Sequence, residues 1–358
     1  RFEHTISYNK QRYTFLDYVG DSVYYKKNYD TSLRKPIDTF IVRESWQVLT
    51  NDLSIYTFPD AKNLQQFLKL GLTVQNISGD LSSGALRFFN SIGHAEYRNK
   101  TRNQQWDLEA NGRFHFTGLN AGDFDAHISL QKLLGKRTGT LRLAFENASR
   151  RPSFLFDTRS SFYLQKTLAD FKKENNTHLL VSYALPSFHF RLTGHYYLIT
   201  NYSYLANYYQ LRQETSLFNV LQVVLEKTFR FGKHWKWHAD YWFQQRLGNA
   251  ELNLPAVFLR NRIGYEGNLG FNNLDLATGL EIKYRPAYKA DGYSPVLGRF
   301  FYQDAVTISN PLPDISAYVH FRIRSFKGVI RAENLNTGRV LGNSGFGFTN
   351  NSFVAPGY

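Results

Sequence analysis

The feature that most constrains this chain is a regular alternation of apolar residues with polar or small ones. In FLKLGLTV, residues 67–74, one side of an extended backbone carries Leu68, Leu70, Leu72 and Val74. The other side carries Lys69, Gly71 and Thr73. Because a β-strand repeats every two residues, its two faces then lie in two different environments. A soluble sheet packed on a core and a barrel wall between lipid and water both satisfy this pattern.

The alternation returns along the whole chain. Residues 106–117 alternate over about 11 residues, which is the length that a tilted membrane-spanning strand needs. Residues 124–131 follow after the turn-like LNAGD and complete a hairpin. Runs of this kind predict about 16 strands, within a range of about 14 to 18. They lie near residues 2–18, 44–56, 65–78, 84–98, 104–117, 122–134, 138–147, 177–185, 187–199, 215–231, 235–246, 256–267, 272–285, 300–309, 314–325 and 326–335.

Helices have almost no place in this pattern. No stretch approaches the roughly 20 consecutive apolar residues of a membrane-spanning helix, so a helical membrane protein is excluded. The segment FYLQKTLADFKK, residues 162–173, is the one short helix that we predict, and it lies inside a long connection. We therefore expect an all-β chain that forms a single barrel domain over residues 1–358.

Composition favours strands and excludes two kinds of site. Aromatic residues make up 16% of the sequence, and they favour strands. Cys is absent, which rules out disulfides and thiolate metal sites. The mean hydropathy of −0.42 does not exclude a membrane, since only alternate residues of a barrel strand face lipid.

The connections between the predicted strands fall into two lengths. Tight turns are expected at residues 184–187, 231–234 and 324–328. Long polar and aromatic loops are expected at residues 18–43, 148–176 and 286–299. Short turns at one rim and long loops at the other are typical of an outer-membrane barrel, in which the turns are periplasmic and the long loops extracellular.

Aromatic residues cluster at predicted strand ends, in HYYLITNYSYL (195–205) and HWKWHADYWF (234–243). Tyr and Trp combine an apolar ring with one polar atom, which suits a membrane–water boundary. We expect these segments near the rims. Ordinary buried aromatics of a soluble β protein are the competing interpretation.

The polar faces of the predicted strands carry small residues together with charge, including Gly71, Gly264 and Gly279. Interior walls of barrels mix small and charged residues when the lumen holds water or packed polar side chains. Strand number, strand length and loop asymmetry together predict a transmembrane antiparallel up-and-down β-barrel of the bacterial outer membrane. Its candidate pore-lining residues are Lys69, Glu109, Arg113, Arg191, Arg230, Arg260, Arg262, Glu281, Arg322 and Arg324.

The C-terminal part of the chain resembles a known family. The motifs are Leu254-Pro255 before a basic strand, a Tyr-x-Pro loop with Phe, Tyr and Gln over 293–303, Pro313-Asp314-Ile315 at a strand start, and Glu333 to Leu335. Over about 85 residues they are similar to the putative porin family of Bacteroidota outer membranes. The resemblance implies an outer-membrane barrel and no particular chemistry. Members of that family tend to be longer, so we expect either that terminal strands are missing from this chain or that the barrel closes with the strands present.

A net charge of +14 raises the question of a nucleic-acid partner. The basic residues are spread among 29 acids, and no basic helix, zinc module or stacking motif presents them, so we expect no nucleic-acid binding. Lys and Arg at loops and rims can instead pair with the phosphates of lipopolysaccharide, and Arg in a lumen can attract anions. The expected partners are outer-membrane lipids and lipopolysaccharide, together with other outer-membrane proteins if the barrel is a subunit.

Signals of catalysis are weak. The 10 His residues are scattered, and no His-Glu-x-x-His or close ligand spacing marks a metal site. We expect no enzyme activity and no cofactor.

The residues thus predict a porin-like channel for the passive passage of small solutes. A non-conducting barrel that serves as a scaffold or partner subunit of a larger outer-membrane complex is the alternative, and the sequence separates the two poorly. Cations near 260–262 and 322–324 would favour anionic solutes if no acidic ring faces them. A third interpretation, a soluble secreted β protein, requires the apolar faces to be buried within protein.

Overall fold

The computed structural model describes residues 1–18, 22–29, 39–135, 137–162, 171–308, 313–333 and 335. Strands occupy most of these residues: β1 (Phe2–Tyr18), β2 (Thr39–Thr57), β3 (Gln66–Leu81), β4 (Gly84–Lys100), β5 (Trp106–Thr117), β6 (Phe124–Gly135), β7 (Gly139–Arg150), β8 (Glu174–Leu185), β9 (Phe190–Thr200), β10 (Tyr202–Ala206), β11 (Gln210–Glu214), β12 (Phe218–Phe231), β13 (Trp235–Leu247), β14 (Val257–Gly267), β15 (Leu274–Tyr284), β16 (Tyr288–Lys289), β17 (Gly292–Ser294), β18 (Arg299–Phe301), β19 (Thr307–Ile308), β20 (Asp314–Ile323) and β21 (Phe326–Ala332). One helix, α1 (Ser22–Tyr29), and short 3-10 turns at Phe154–Phe156 and Pro186–Phe188 accompany them. Within the described residues, every helix is too short or too polar to cross a membrane.

Fifteen strands form one antiparallel sheet in which each strand pairs with the next one along the chain. This sheet, called the wall below, comprises β1–β9, β12–β15, β20 and β21. The remaining strands form three small hairpins in the connections, β10–β11, β16–β19 and β17–β18. The order confirms the predicted up-and-down antiparallel topology. The described residues contain no pairing between β1 and β21, so a ring of about 16 strands stays a prediction.

One predicted strand and one predicted helix differ from the structure. The run 300–309 is not part of the wall, because β18 pairs with β17 and β19 pairs with β16 inside a long connection. Its alternation reflects a loop hairpin with Phe301 buried and Phe300 exposed. The helix predicted over 162–173 lies largely outside the described residues. The helix α1 is a feature that the sequence pattern did not predict.

The apolar faces of the wall strands are exposed. In residues 67–74 of β3, Leu70 is 53% exposed and Leu72 is 50% exposed. Equally exposed apolar side chains recur on the same face across the wall, at Ile55, Phe114, Ile128, Phe145, Val181, Leu192, Phe243, Ile263 and Leu280. Soluble monomers rarely expose an apolar band of this extent. The interpretation as a soluble sheet with its apolar face on a core is therefore wrong.

The connections are unequal at the two rims of the wall. One rim carries the long connections 19–38, 151–173, 201–217, 248–256 and 285–313, together with the shorter 82–83 and 118–123. The other rim carries only 58–65, 101–105, 136–138, 186–189, 232–234, 268–273 and 324–325. This confirms the predicted division into long loops and short turns. The aromatic segment 234–243 begins at the short-turn rim, where Trp235 and Trp237 face outward beside Tyr265 and Phe229.

The long connections fold over the polar face of the wall. We call residues 151–162, 201–217, 248–256 and 285–308 the loop cap. The hydroxyl of Tyr13 on β1 donates a hydrogen bond to the Val296 carbonyl at 3.0 Å, although the two residues are 283 positions apart. Trp46 on β2 packs edge-on against Phe154 with ring centroids 4.7 Å apart. The polar face is therefore the inner face of a curved sheet, and the apolar face is the outer one.

Candidate functional site on the inner face

Strand register places nine of the ten predicted pore-lining residues on the inner face. Arg113 lies opposite Asp125, Arg191 opposite Glu226, and Arg262 opposite Glu281. The nine are Lys69, Glu109, Arg113, Arg191, Arg230, Arg260, Arg262, Glu281 and Arg322. The period of two that separates the faces is local, so sequence alone was enough to find them.

Arg324 is the exception. It occupies the two-residue turn between β20 and β21, where its backbone has a φ of +55°. The prediction that it belongs to a strand of the inner wall is wrong, because β20 ends at Ile323. Its side chain is exposed at the short-turn rim.

Four candidates are neutralised by a neighbouring acid. Arg113 meets Asp125 at 3.0 Å, and Lys69 reaches Glu3 at 3.9 Å. Arg191 meets Glu226 at 3.5 Å, and the Arg322 Nε donates to Asp275 at 2.7 Å. Ion pairs that are open to water contribute little stability, about 0–1 kcal/mol each. They leave these parts of the inner face close to neutral, except beside Asp125, which Arg113 shares with Arg150 at 3.6 Å.

Glu281 forms a different kind of arrangement. Its side chain is only 1% exposed and is surrounded by three cations. Arg260 donates through Nε at 2.8 Å and through Nη2 at 2.7 Å. Lys283 lies at 3.2 Å and Arg331 at 2.5 Å. A carboxylate so far removed from water requires this set of partners. Arg331 also pairs with Glu333 at 2.8 Å, so three positive charges share two negative ones.

Arg262 is left without a counterion among the described residues. It stands directly opposite Glu281 on β15 and His238 on β13. Both oxygens of Glu281 are already bonded to other cations. The Nε of Arg262 is buried and has no hydrogen-bond partner. Together with the cations around Glu281, it makes the inner face of β14, β15 and β21 electropositive.

Two further candidates stand apart from any ion pair in the described part of the chain. Arg230 is exposed near the short-turn end of β12, and Lys236 is its register partner. Glu109 lies on the inner face of β5 opposite Arg98, whose guanidinium instead approaches Asp107 at 3.5 Å.

A hydrogen-bonded line of imidazoles crosses four strands and was missed by the sequence analysis. His127 Nδ1 and His178 Nδ1 approach the two oxygens of Glu146 at 2.9 and 3.2 Å. His178 Nε2 is 2.9 Å from His195 Nδ1. Because an ionised carboxylate only accepts, both Nδ1 atoms donate to Glu146, and His195 then donates to His178 when all rings are neutral. Alternation places each residue on the inner face, but only register shows that they adjoin.

This line of side chains is bordered by two open cavities of about 490 and 450 Å³. His178 also stacks on Tyr197 with ring centroids 4.3 Å apart. Within the described ranges, no three His, Asp or Glu side chains are grouped so that they could hold a metal ion. The arrangement offers a polar surface to a solute and fixes the imidazole orientations.

A second polar cluster on the inner face explains why position 71 of β3 is a glycine. Asp52 Oδ1 accepts a hydrogen bond from Ser54 at 2.6 Å, and its Oδ2 accepts one from Thr73 at 2.5 Å. His94 Nε2 also lies 2.6 Å from Asp52 Oδ2. The His94 ring crosses Gly71 to reach Asp52. A Cβ on Gly71 would lie 2.3 Å from that ring. Glycine is therefore needed here for close approach, which accounts for its place on a charged face.

The loop cap contains the most deeply buried apolar residues near the inner face. Val296 is 0% exposed and Leu297 is 1% exposed, at the tip of the β17–β18 hairpin. Gly298 follows with a φ of +60°, and a Cβ there would lie 3.0 Å from the Tyr13 ring. Gln303 anchors the base of this loop by accepting from the Val306 amide at 2.6 Å. The Tyr293–Gln303 motif thus builds the hairpin that presses on β1.

One carboxylate of the cap is held strongly ionised. The Asp157 side chain accepts hydrogen bonds from Arg159 Nε and Nη2, both at 2.8 Å, and from Arg151 at 3.1 Å. These hydrogen bonds, those of Arg159 first, hold the pKa of Asp157 below its ordinary value. Arg159 also lies over the Phe88 ring at 5.2 Å, so this end of the cap is fastened to β4.

Comparisons with known proteins agree with this architecture. The whole chain, residues 1–358, matches the model of a family described as putative porin. No curated protein matches the chain. Among solved structures, the ferric enterobactin receptor PfeA of Pseudomonas aeruginosa aligns with a TM-score of 0.64 and 14% identity over 93% of this chain and 54% of the receptor.

Two other solved structures give the same result. The siderophore receptor PirA of Acinetobacter baumannii aligns with a TM-score of 0.59 and 12% identity, covering 93% of this chain and 56% of that one. The copper transporter OprC aligns with a TM-score of 0.62 and 11% identity, again over 93% and 56%. This chain therefore spans about half the length of these proteins. The fold is that of an outer-membrane β-barrel, and the chain lies in the bacterial outer membrane.

Proposed function

Since the chain belongs to the family of putative porins, we propose that it forms a channel for the passive passage of small solutes across the outer membrane. The observation that carries the proposal is the charged and polar inner face that runs across all fifteen wall strands behind an exposed apolar outer face. Such a face hydrates a lumen while hydrocarbon covers the other side. The similar solved structures are a ferric enterobactin receptor, a siderophore receptor and a copper transporter. At 11–14% identity, their ligands are not assigned to this chain.

The loop cap restricts this passage at the outward end. Its support is the burial of Val296 against Tyr13 and Val42 on the inner face of β1 and β2. Leu297, next in the hairpin, packs on Leu155, Leu205 and Phe301 of the cap itself. Val296 would lose this burial if the hairpin left the wall, so the covered state is favoured. The resting channel therefore passes solutes slowly or only of small size.

The inner face also favours anions. Lys69, Arg191 and Arg322 each have an acid beside them and add little net field, whereas Arg113 shares Asp125 with Arg150. The excess of cations lies on β14, β15 and β21, where Glu281 is outnumbered and Arg262 is free of a counterion among the described residues. Unpaired charges facing a narrow aqueous space select permeant ions of opposite sign.

The test is conductance of the purified protein in planar bilayers, with the reversal potential measured across a KCl gradient. The informative variant replaces residues 293–300 by Asn-Gly. Gly292 and Phe301 are direct register partners, so a two-residue turn can rejoin the hairpin without moving its base. We expect small anion-preferring conductances for the native chain and a several-fold increase for the variant.

Matched controls separate the two parts of the proposal. Phe300→Ala removes an exposed side chain of the same hairpin and should leave conductance unchanged. Arg262→Gln should reduce anion preference, whereas Arg322→Gln combined with Asp275→Asn removes an ion pair without changing net charge and should not. A neutral or cation-preferring native channel rejects the anion proposal alone.

The alternative function is a non-conducting barrel that acts as a scaffold or partner subunit in a larger outer-membrane complex. The specific observation in its favour is the same buried hairpin, which covers the inner face near β1 and β2. A folded barrel that stays silent both with and without residues 293–300 rejects the channel and favours the scaffold.

A further inference from the structure

The first four wall strands are longer than a membrane requires. β1, β2, β3 and β4 contain 17, 19, 16 and 17 residues, whereas β20 contains 10. A tilted strand crosses the hydrocarbon region with about 9–11 residues. The main group of exposed apolar residues in these four strands, including Leu53, Ile55, Leu70 and Leu72, lies toward the short-turn rim. A smaller group, Leu16, Tyr18 and Ile41, lies at the long-loop ends of β1 and β2. The strands therefore continue past the apolar belt at the long-loop rim.

This extension carries four cations on its outer face. In β1 the even-numbered residues share the outer face with Ile6, which places Lys10 and Arg12 there. Arg43 is the register partner of Thr14, and Arg87 is the partner of Ser78, so both belong to the same face. We call Lys10, Arg12, Arg43 and Arg87 the outer basic patch.

Register gives the size of the outer basic patch. One row of paired residues runs from Lys10 through Gln47 and Ser78 to Arg87. Since neighbouring strands lie about 4.8 Å apart, this row spans about 14 Å. Arg12 lies in the next row of outward residues and Arg43 in the one above, at steps of about 7 Å. The patch is thus compact enough for one phosphorylated headgroup.

All four cations are exposed, and none makes an ion pair or hydrogen bond with a described residue. The one acid on this part of the outer face is Asp80, which shares a row with Arg12 through Ser45. Outward residues at the corresponding ends of other wall strands are neutral, as at Ser149, Asn175 and Gln245. The charge is therefore concentrated on one side of the barrel.

We propose that the outer basic patch binds the phosphate groups of lipopolysaccharide in the outer leaflet. The patch faces away from the lumen and lies between the main apolar belt and the smaller group of Leu16, Tyr18 and Ile41. It is on the half of these strands nearer the long-loop rim, which faces outward in barrels of this type. Phosphates of a lipid headgroup lie at that depth. Arg and Lys bind them through charge-assisted hydrogen bonds, which also satisfy the exposed guanidinium groups. This binding is independent of the proposed channel.

The experiment measures lipid A binding by the full-length chain in detergent, by native mass spectrometry. The probes are diphosphoryl lipid A and the same lipid after enzymatic dephosphorylation. The test variant combines Lys10→Gln, Arg12→Gln, Arg43→Gln and Arg87→Gln. Because basic residues near an anionic lipid surface act almost additively, we expect diphosphoryl lipid A to bind the variant at least about tenfold more weakly. Dephosphorylated lipid A should bind both proteins equally and weakly.

The matched control removes four exposed cations from the short turns of the opposite rim, Lys62, Arg137, Lys233 and Arg324, each changed to Gln. It carries the same net charge as the test variant and should bind lipid A like the native chain. Heat-modifiable migration on a gel shows that each variant forms a barrel, and the Lys10→Gln, Arg12→Gln pair alone serves if the full set fails to fold.

Two results would overturn the proposal. One is equal binding of diphosphoryl lipid A to native and patch-variant protein, which would assign binding to the apolar belt. The other is an equal loss in the control variant, which would make the effect one of total charge. If native protein instead retains a protein partner that the patch variant loses while lipid A binding is unchanged, the patch is a protein interface.

Discussion

The wall and the loop cap both remove apolar side chains from water, the wall by exposing them to lipid and the cap by packing them together. In the wall, backbone pairing joins fifteen strands while large apolar side chains such as Leu70 and Phe116 stay exposed to the outside. In the cap, Leu297 and Phe301 are buried against other loops, as in a small soluble domain, and Val296 is buried against Val42 of the wall. The wall depends on hydrocarbon to cover its apolar face. The cap depends on water to drive its apolar residues together.

This contrast implies that the two regions can be destabilised separately. Loops that stand on a rigid scaffold open at a lower free energy than the strands that carry them. The cap is joined to the wall by side-chain contacts such as Tyr13 to Val296 and Arg159 over Phe88. It can therefore loosen while the strand pairing persists.

The largest effect is expected from Leu297→Ala. The side chain is 1% exposed at the hairpin tip, and truncation of a buried Leu costs about 2–5 kcal/mol. Backbone hydrogen exchange should accelerate at residues 201–217 and 285–308 and stay unchanged in the wall strands. Phe300→Ala, on the same hairpin but 60% exposed, is the control and should have little effect. Uniform acceleration across the wall would show that the cap and the wall unfold as one unit.

The wall was almost fully predictable because its signal is local. Alternation of two residues per repeat defines a strand without knowledge of its neighbours, and the runs predicted near 104–117 and 235–246 match β5 and β13 within a residue or two. The one false wall strand, 300–309, fails for a related reason. A hairpin with one buried face alternates just as a barrel strand does, so periodicity cannot distinguish them.

For the candidate site, the sequence predicted which residues lie on the inner face but not which residues they contact. Alternation put Arg260, Arg262 and Glu281 on the inner face. That Glu281 is shared by Arg260, Lys283 and Arg331 depends on pairing across three strands and 50 residues of separation. The contact of Tyr13 with Val296 spans 283 residues and has no local signal at all. The sequence shows which charged residues share a face, whereas the strand register decides which of them neutralise one another.

A slightly smaller effect is expected when an Arg is placed on the outer face of the wall, and its cost can be compared with that of an Arg on the inner face. Ile128 on the outer face is 50% exposed and sits in the middle of β6. Arg at such a lipid-facing position costs about 2–4 kcal/mol near the bilayer midplane. We expect Ile128→Arg to lower the free energy of unfolding from liposomes by that amount, as measured by denaturant titration.

The matched variant is Asn111→Arg, on the inner face of β5 and opposite His127. Asn111 is exposed there, so an Arg reaches the hydrated side and should cost less than about 1 kcal/mol. Equal costs for the two substitutions would contradict the assignment of lipid to the apolar face.

The smallest effect concerns pH and the Asp157 end of the cap. Hydrogen bonds from the Arg159 side chain and then from the Arg159 backbone amide, together with the positive charge of Arg151, hold the pKa of Asp157 below its ordinary value of 3.8. A carboxyl whose folded pKa is lowered contributes stability that is complete above 3.8 and is lost as pH falls through the lowered value. The chain has no native Cys, so a nitroxide on Thr158→Cys, an exposed position, reports this segment alone.

The nitroxide mobility should stay constant from neutral pH to about pH 4 and rise only below it, because protonation removes the charge that Arg159 and Arg151 hold in place. Asp157→Asn should be mobile at every pH, since the neutral amide keeps the shape of the side chain but not its charge. A label at Lys62→Cys, in a short turn at the other rim, controls for acid unfolding of the wall. If both labels loosened together, the wall and the cap would share one acid transition, and the separation between them would fail at low pH.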